Sequence, residues 1–246
     1  VLGVGGLAVV KRGPAAQGFM SNNLYAGSTF IEEGALELWG AGAISNSASV
    51  AISAGAALAV TSRTDRAFTV SAGQTLRGAG TVLGNVLNGQ QVEPGLPTGV
   101  LSVSGSYTQQ LLATLAVELG GPLPGTEHDV LAVSDQAALD GFLDVAFTGG
   151  YTGTPGQVFT VLTASAISGT FALTNLPALG AGLTWTVTYE PAAVVLSISG
   201  GDPAPTPYEL WADAIPDPAL RGDQEDADGD GYANLWEYSQ GTDPTT

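Results

Sequence analysis

Five acidic or amide side chains crowd one short stretch near the end of the chain, DADGDGYANLWE, Asp226 to Glu237. Asp226, Asp228 and Asp230 stand at its first, third and fifth places, Gly231 at the sixth, Asn234 at the ninth and Glu237 at the twelfth. That order is the ligand order of a twelve-residue calcium loop. Carboxylates at alternate positions supply hard oxygen donors, and Tyr232 supplies a backbone carbonyl at the seventh place. Asn234 binds directly or through water, Glu237 closes the shell with two oxygens, and the glycine permits the bend. Four carboxylates this close repel one another, so Ca2+ is the expected cofactor. The competing reading is a solvated acidic turn.

Other candidates for chemistry are sparse. Glu32 and Glu33 are adjacent and point to opposite sides of a continuing strand. Asp140 and Asp144 flank Gly141 and read as a turn edge, while Arg63, Asp65 and Arg66 form a small polar patch. His128, beside Asp129, is the only imidazole and reads as a solvated turn histidine. No catalytic residue is expected. GVGG (Gly3–Gly6) and GAGTVLG (Gly78–Gly84) imitate nucleotide loops without the strand–helix context such loops need.

The elements that must carry these residues are written in small side chains. The 246 residues hold 35 glycines, only 12% of them are charged, and no cysteine is present, so disulfides, thiolate metal sites and thiol nucleophiles are excluded. Formal net charge is −17, which excludes nucleic acid and anionic lipid as partners. The acidity is uneven: residues 201–246 hold 11 of the 23 carboxylates and one of the six cations. No run of 18 apolar residues occurs, so no membrane span is expected. Because it opens on Val1 without a charged leader, the chain reads as a processed protein or a fragment.

TFIEEGALEL (29–38), VAISAGAALAV (50–60) and FTVSAGQTL (68–76) repeat one pattern: alternating apolar residues, a glycine turn, then alternation again. The turn glycines Gly34, Gly55 and Gly73 lie 21 and 18 residues apart. Period-two alternation places Ile31, Leu36, Leu38, Val50, Ile52, Leu58, Val60, Phe68, Val70 and Leu76 on one face, with Ala57, Ala59 and Thr69 opposite. Repeats near 20 residues predict an all-β solenoid whose coils stack about 4.8 Å apart. Asn22, Asn23, Asn46, Asn85 and Asn88 fall at its corners, either as solvated turn residues or stacked in ladders. The expected organisation is β-helix repeats over 1–94, then terminal coils and a β cap over 95–200, or a separate small sandwich there. A Pro-rich linker over 201–207 and a calcium-binding loop and helix module over 208–246 complete it. In that module Leu210, Trp211, Ile215, Leu235 and Trp236 are expected to form a minute core, which bound calcium supplements.

The segment LAVVKRG…NNLYAGSTFIEEGALEL, through Lys11, Gly13, Asn23, Tyr25, Gly27, Thr29, Ile31, Gly34, Leu36 and Leu38, resembles the bacterial autotransporter-associated β-strand repeat. The likeness extends over roughly residues 5–200, departing from the pattern at GPAAQGFMS. The resemblance implies a right-handed parallel β-helix on, or shed from, a bacterial surface, and no catalytic residues. The tail, through Trp211, Asp226, Asp228, Asp230, Asn234, Glu237, Gly241 and Asp243, is similar to thrombospondin type 3 and dockerin calcium segments. Together these imply an extracellular or cell-surface structural or adhesion protein. Its partners would be further coils of a longer chain or other copies of itself, with a surface glycan or anchor as a further possibility. The alternative is a β-helix that binds or cleaves polysaccharide. The apolar opening VLGVGGLAVV either continues coils upstream or meets another subunit edge to edge.

Overall fold

A computed structural model describes residues 6–201 and 205–246. The readings placed on residues 1–5 and on the centre of the linker lie outside those described. The chain is mostly β and separates into two compact units, residues 1–199 and 200–246. Among the described residues no helix is long and apolar enough to cross a membrane.

In the first unit the chain returns to its sheets in turn, two at first and three later, and the strands inside each sheet pair with strands on either side of them. The first sheet takes Val9–Lys11, Thr29–Ile31, Ser49–Ile52, Thr75–Gly78, Gln91–Pro94, Thr114–Leu119, Phe142–Phe147 and Leu173–Asn175. The second begins with Gln17–Phe19, Ala35–Leu38, Ala57–Ala59 and Thr81–Leu83. A third appears only from Ala67–Val70 onward, continuing through Asn85–Asn88 and Tyr107–Gln109. Strands of successive circuits pair in parallel, whereas Val158–Thr163 pairs antiparallel with Ala193–Gly200.

Register explains why alternation in the sequence becomes a core. On the first sheet Val9, Thr29, Val50, Leu76, Val92, Leu115, Leu143 and Thr174 occupy one column. On the second, Leu36, Leu58 and Val82 do the same. All ten residues expected on the inner face are buried, while of the three placed opposite, Ala59 is buried as well. Each large aliphatic side chain so enclosed contributes about 1.5–3 kcal/mol. Gly34, Gly55 and Gly73 turn the chain with φ of +68°, +80° and +76°, a region L side chains rarely adopt.

Polar side chains close the corners from inside. Lys11 is buried, and its ammonium donates to the carbonyls of Arg12 (3.2 Å), Gly13 (2.5 Å) and Glu33 (2.9 Å), tying one circuit to the next. Asn88, fully buried, donates to Tyr107 Oη and to the Thr114 carbonyl, both at 3.0 Å. Gln109, one strand further on, accepts from Tyr107 Oη at 2.6 Å and donates to the carbonyls of Asp140 and Phe142. The solvated reading therefore fails for Asn88, because a buried corner leaves carbonyls that only a side-chain donor can satisfy. At the far end of the unit Phe147, Tyr151, Phe159 and Trp185 pack ring against ring with centroids 5.4–6.3 Å apart.

In the second unit α1 (Pro207–Ala212) starts with a reciprocal cap: Thr206 Oγ1 accepts from the Glu209 amide, and the Glu209 carboxylate accepts from the Thr206 amide. A 3-10 turn over Pro218–Leu220 and α2 (Asn234–Gln240) follow. The expected minute core is corrected. Ile215 and Ala212 are buried, but Leu210, Leu235 and Trp236 are exposed. Trp211 keeps its expected place, packed with Tyr208 and Tyr238, which lie outside the expected set; the three rings meet at 5.5–5.7 Å.

Candidate functional site

The loop between the 3-10 turn and α2 folds around its own carboxylates. Asp226 accepts from the amides of Gly229 (2.8 Å) and Gly231 (3.0 Å), Asp228 from Asp230 (3.0 Å), and Asp230 from Tyr232 (2.8 Å). Gly229 and Gly231 take φ of +79° and +97°, which lets the chain turn tightly enough to bring alternate aspartates inward. One oxygen from each of Asp226, Asp228 and Asp230 lies within 4.8 Å of the others, so the three could hold a metal ion.

Helix α2 supplies two further residues from its first turn. Asn234 is fully buried and donates both amide hydrogens, to the carbonyls of Leu220 (2.7 Å) and Gly222 (2.8 Å). Its Oδ1 is left without a partner, as are Glu237 Oε2 and Asp228 Oδ2. A buried oxygen with no donor costs roughly 1–3 kcal/mol, and more where it is charged. Glu237 is 1% exposed, and burial, followed by the charges of Asp228, Asp230, Asp226 and Asp243, raises its pKa above the usual range. These orphaned oxygens are what a cation would satisfy, so the residues fit a metal. Tyr232, assigned a carbonyl role, is half exposed and stacks its ring on Trp236 at 4.2 Å.

The remaining charged candidates are accounted for by structure. Glu32 pairs with Arg12 at 2.7 Å in the open, whereas the Glu33 backbone receives Lys11. Arg63 grips Asp65 with two bonds of 2.9 Å and also donates to the Gly42 carbonyl, a clamp that holds Asp65 below its ordinary pKa. Asp140 caps the amide of Gly141, but Asp144 is a strand residue facing outward and accepts from Asn175 at 2.7 Å. The turn-edge reading therefore holds for Asp140 alone.

His128 is 1% exposed, edge-on to Phe159 at 5.4 Å, with Nδ1 3.0 Å from the Gly121 carbonyl; it is a core residue, not a solvated one. Burial lowers its pKa. Asp129, which the sequence marks only as the neighbour of His128, is a second buried polar residue. It is 2% exposed, and burial raises its pKa to about 7 against the opposing pull of two backbone donors. Nothing local marks it, because its partners are Gly99 and Glu118, distant along the chain.

No protein-family model matches this chain, and no curated protein is significantly similar to it.

Proposed function

We propose that this chain is an extracellular or surface-displayed structural protein. Its first unit is read as a right-handed parallel β-helix segment ending in a β cap, and its second as a module stiffened by calcium. What supports the first part is the rotation of strands through three sheets with in-register aliphatic columns. Backbone groups are consumed in stacking and inner side chains in packing, so the unit serves display and adhesion.

The observation that carries the calcium reading is the set of three buried, unpartnered oxygens beside a converged aspartate triad. All the donors are oxygens, with no imidazole or thiolate among them, which selects a hard cation. Asp226, Asp228, Asp230, the Tyr232 carbonyl, Asn234 and Glu237 would hold it. A bound Ca2+ supplies positive charge to offset carboxylate repulsion, and the ion acts on folding rather than on a reaction. Asn234 joins the ligand set to the Leu220–Gly222 segment through its two amide bonds.

The test is calorimetric titration of the full chain with CaCl2, combined with limited proteolysis and tryptophan fluorescence before and after chelation. One-site binding that protects residues 208–246 and changes the signal of Trp211 and Trp236 is expected. Unchanged cleavage and emission on chelation would overturn the reading.

A further inference from the structure

The outer face of the first sheet carries a polar groove of about 330 Å³, the lower end of the roughly 300–1,000 Å³ typical of small-ligand sites. Register builds it. Arg77 lies beside Glu93, and Ala116 beside Asp144, which is followed by Asn175. The pairing of Val92 with Leu115 places Glu93 next to Ala116, so these five residues form one outward column. Two positions along the same strand Glu118 sits beside Ala146. The small Ala116 and Ala146 make the floor, with Glu93 and Asp144 as walls. The turn Gly95–Pro97 and the buried Asp129 close one side.

The chemistry of the lining selects its ligand. Acceptors dominate, with carboxylates at Glu93, Glu118 and Asp144; the donors are Arg77, 3.4 Å from Glu93, and Gln91. Such a wall suits a molecule that offers many hydroxyl donors and a few acceptors. A uronate or phosphate would meet net negative charge. A shared cation is disfavoured as well. Glu93 and Asp144 stand two strand spacings apart, about 9–10 Å at the backbone, and Ca2+ ligands must converge to about 2.3–2.6 Å from one ion. Among the described residues the group of acidic side chains converging within 4.8 Å is the triad Asp226, Asp228 and Asp230 of the second unit. We propose that this groove binds an uncharged oligosaccharide through its hydroxyl groups, with Glu118 and Asp144 as the principal acceptors and Arg77 and Gln91 as donors. It is a second site, independent of the calcium loop.

The experiment is titration of the full chain, in EDTA so that the metal loop plays no part, with cellohexaose, laminarihexaose, mannohexaose and N-acetylchitohexaose, using hexagalacturonate as the charged control. Ala146→Phe fills the groove from an exposed outward position, and the pair Glu118→Gln with Asp144→Asn removes charge without changing shape. Circular dichroism confirms that each variant is folded, and the second set stands if the first does not fold. At least one neutral hexamer is expected to bind, to weaken about tenfold or more in either variant, and to exceed hexagalacturonate. Absence of binding by all four, equal binding by the variants, or preference for hexagalacturonate overturns the proposal.

Discussion

Asp129 Oδ1 accepts the amide of Gly99 at 2.9 Å, across 30 residues of sequence, and so joins the turn after one first-sheet strand to the start of a second-sheet strand. Its other oxygen accepts the Glu118 amide at 2.8 Å, and its own amide returns a bond to the Glu118 carbonyl. The carboxyl is thus held where water barely reaches. Burial is the main cause of its raised pKa, and the charges of Glu118 and Glu93 add to it.

Protonation of Asp129 therefore favours the folded state. With an ordinary carboxyl pKa in the unfolded chain and about 7 in the folded one, its contribution is complete below about pH 4 and is lost as pH rises to about 7. At about 1.4 kcal/mol per unit the loss is bounded near 4 kcal/mol. Urea unfolding at several pH values is expected to give a stability that falls from pH 4 to 7. Asp129→Asn should flatten that slope, which separates Asp129 from the general repulsion within a chain of net charge −17.

Glu237 predicts a crossing of signs. Without metal its buried, unpartnered oxygen and the aspartates around it destabilise the second unit, so Glu237→Gln should make the calcium-free module more resistant to proteolysis. With millimolar CaCl2 the order should reverse, since the variant loses a ligand oxygen. Stability measured with and without calcium checks both halves.

Leu76 stands between Val50 and Val92 in the first-sheet column, with no exposed surface. Leu76→Ala is expected to cost about 2–5 kcal/mol. Phe30→Ala, two strands away in the same sheet and 40% exposed, should cost well under half of that by the same denaturant titration.

Tyr107 passes a hydrogen bond along the corner ladder, accepting from Asn88 and donating to Gln109. Tyr107→Phe leaves both amides short of a partner in a closed interior, and about 1–3 kcal/mol of destabilisation is expected. Asn88→Ala should cost a comparable amount, and the double variant less than the sum, because the two share one network.

The inner face was legible because alternation is local: Ile31, Val50 and Leu76 could each be placed from their immediate neighbours. The spacing of three aspartates, an asparagine and a glutamate within twelve residues was legible for the same reason. Burial of the corner amides was not, since nothing near Asn88 announces that Thr114 lies against it. The groove was invisible in principle. Glu93, Glu118 and Asp144 come together only through cross-strand register, and Asp129 through its bonds to Glu118; the circuits between successive members of one column are unequal, as Leu76 to Val92 is far shorter than Leu115 to Leu143. His128 misled because one polar residue in a glycine-rich stretch looks like a turn until Phe159 is set against it.

The unequal circuits carry an evolutionary corollary. Since a strand answers only to those one lap earlier and one lap later, a lap can lengthen, shorten or be duplicated while the registers beyond its neighbours survive. Point insertions that would scramble a sandwich become loops here, and descendants of such a gene can diverge in length faster than in architecture.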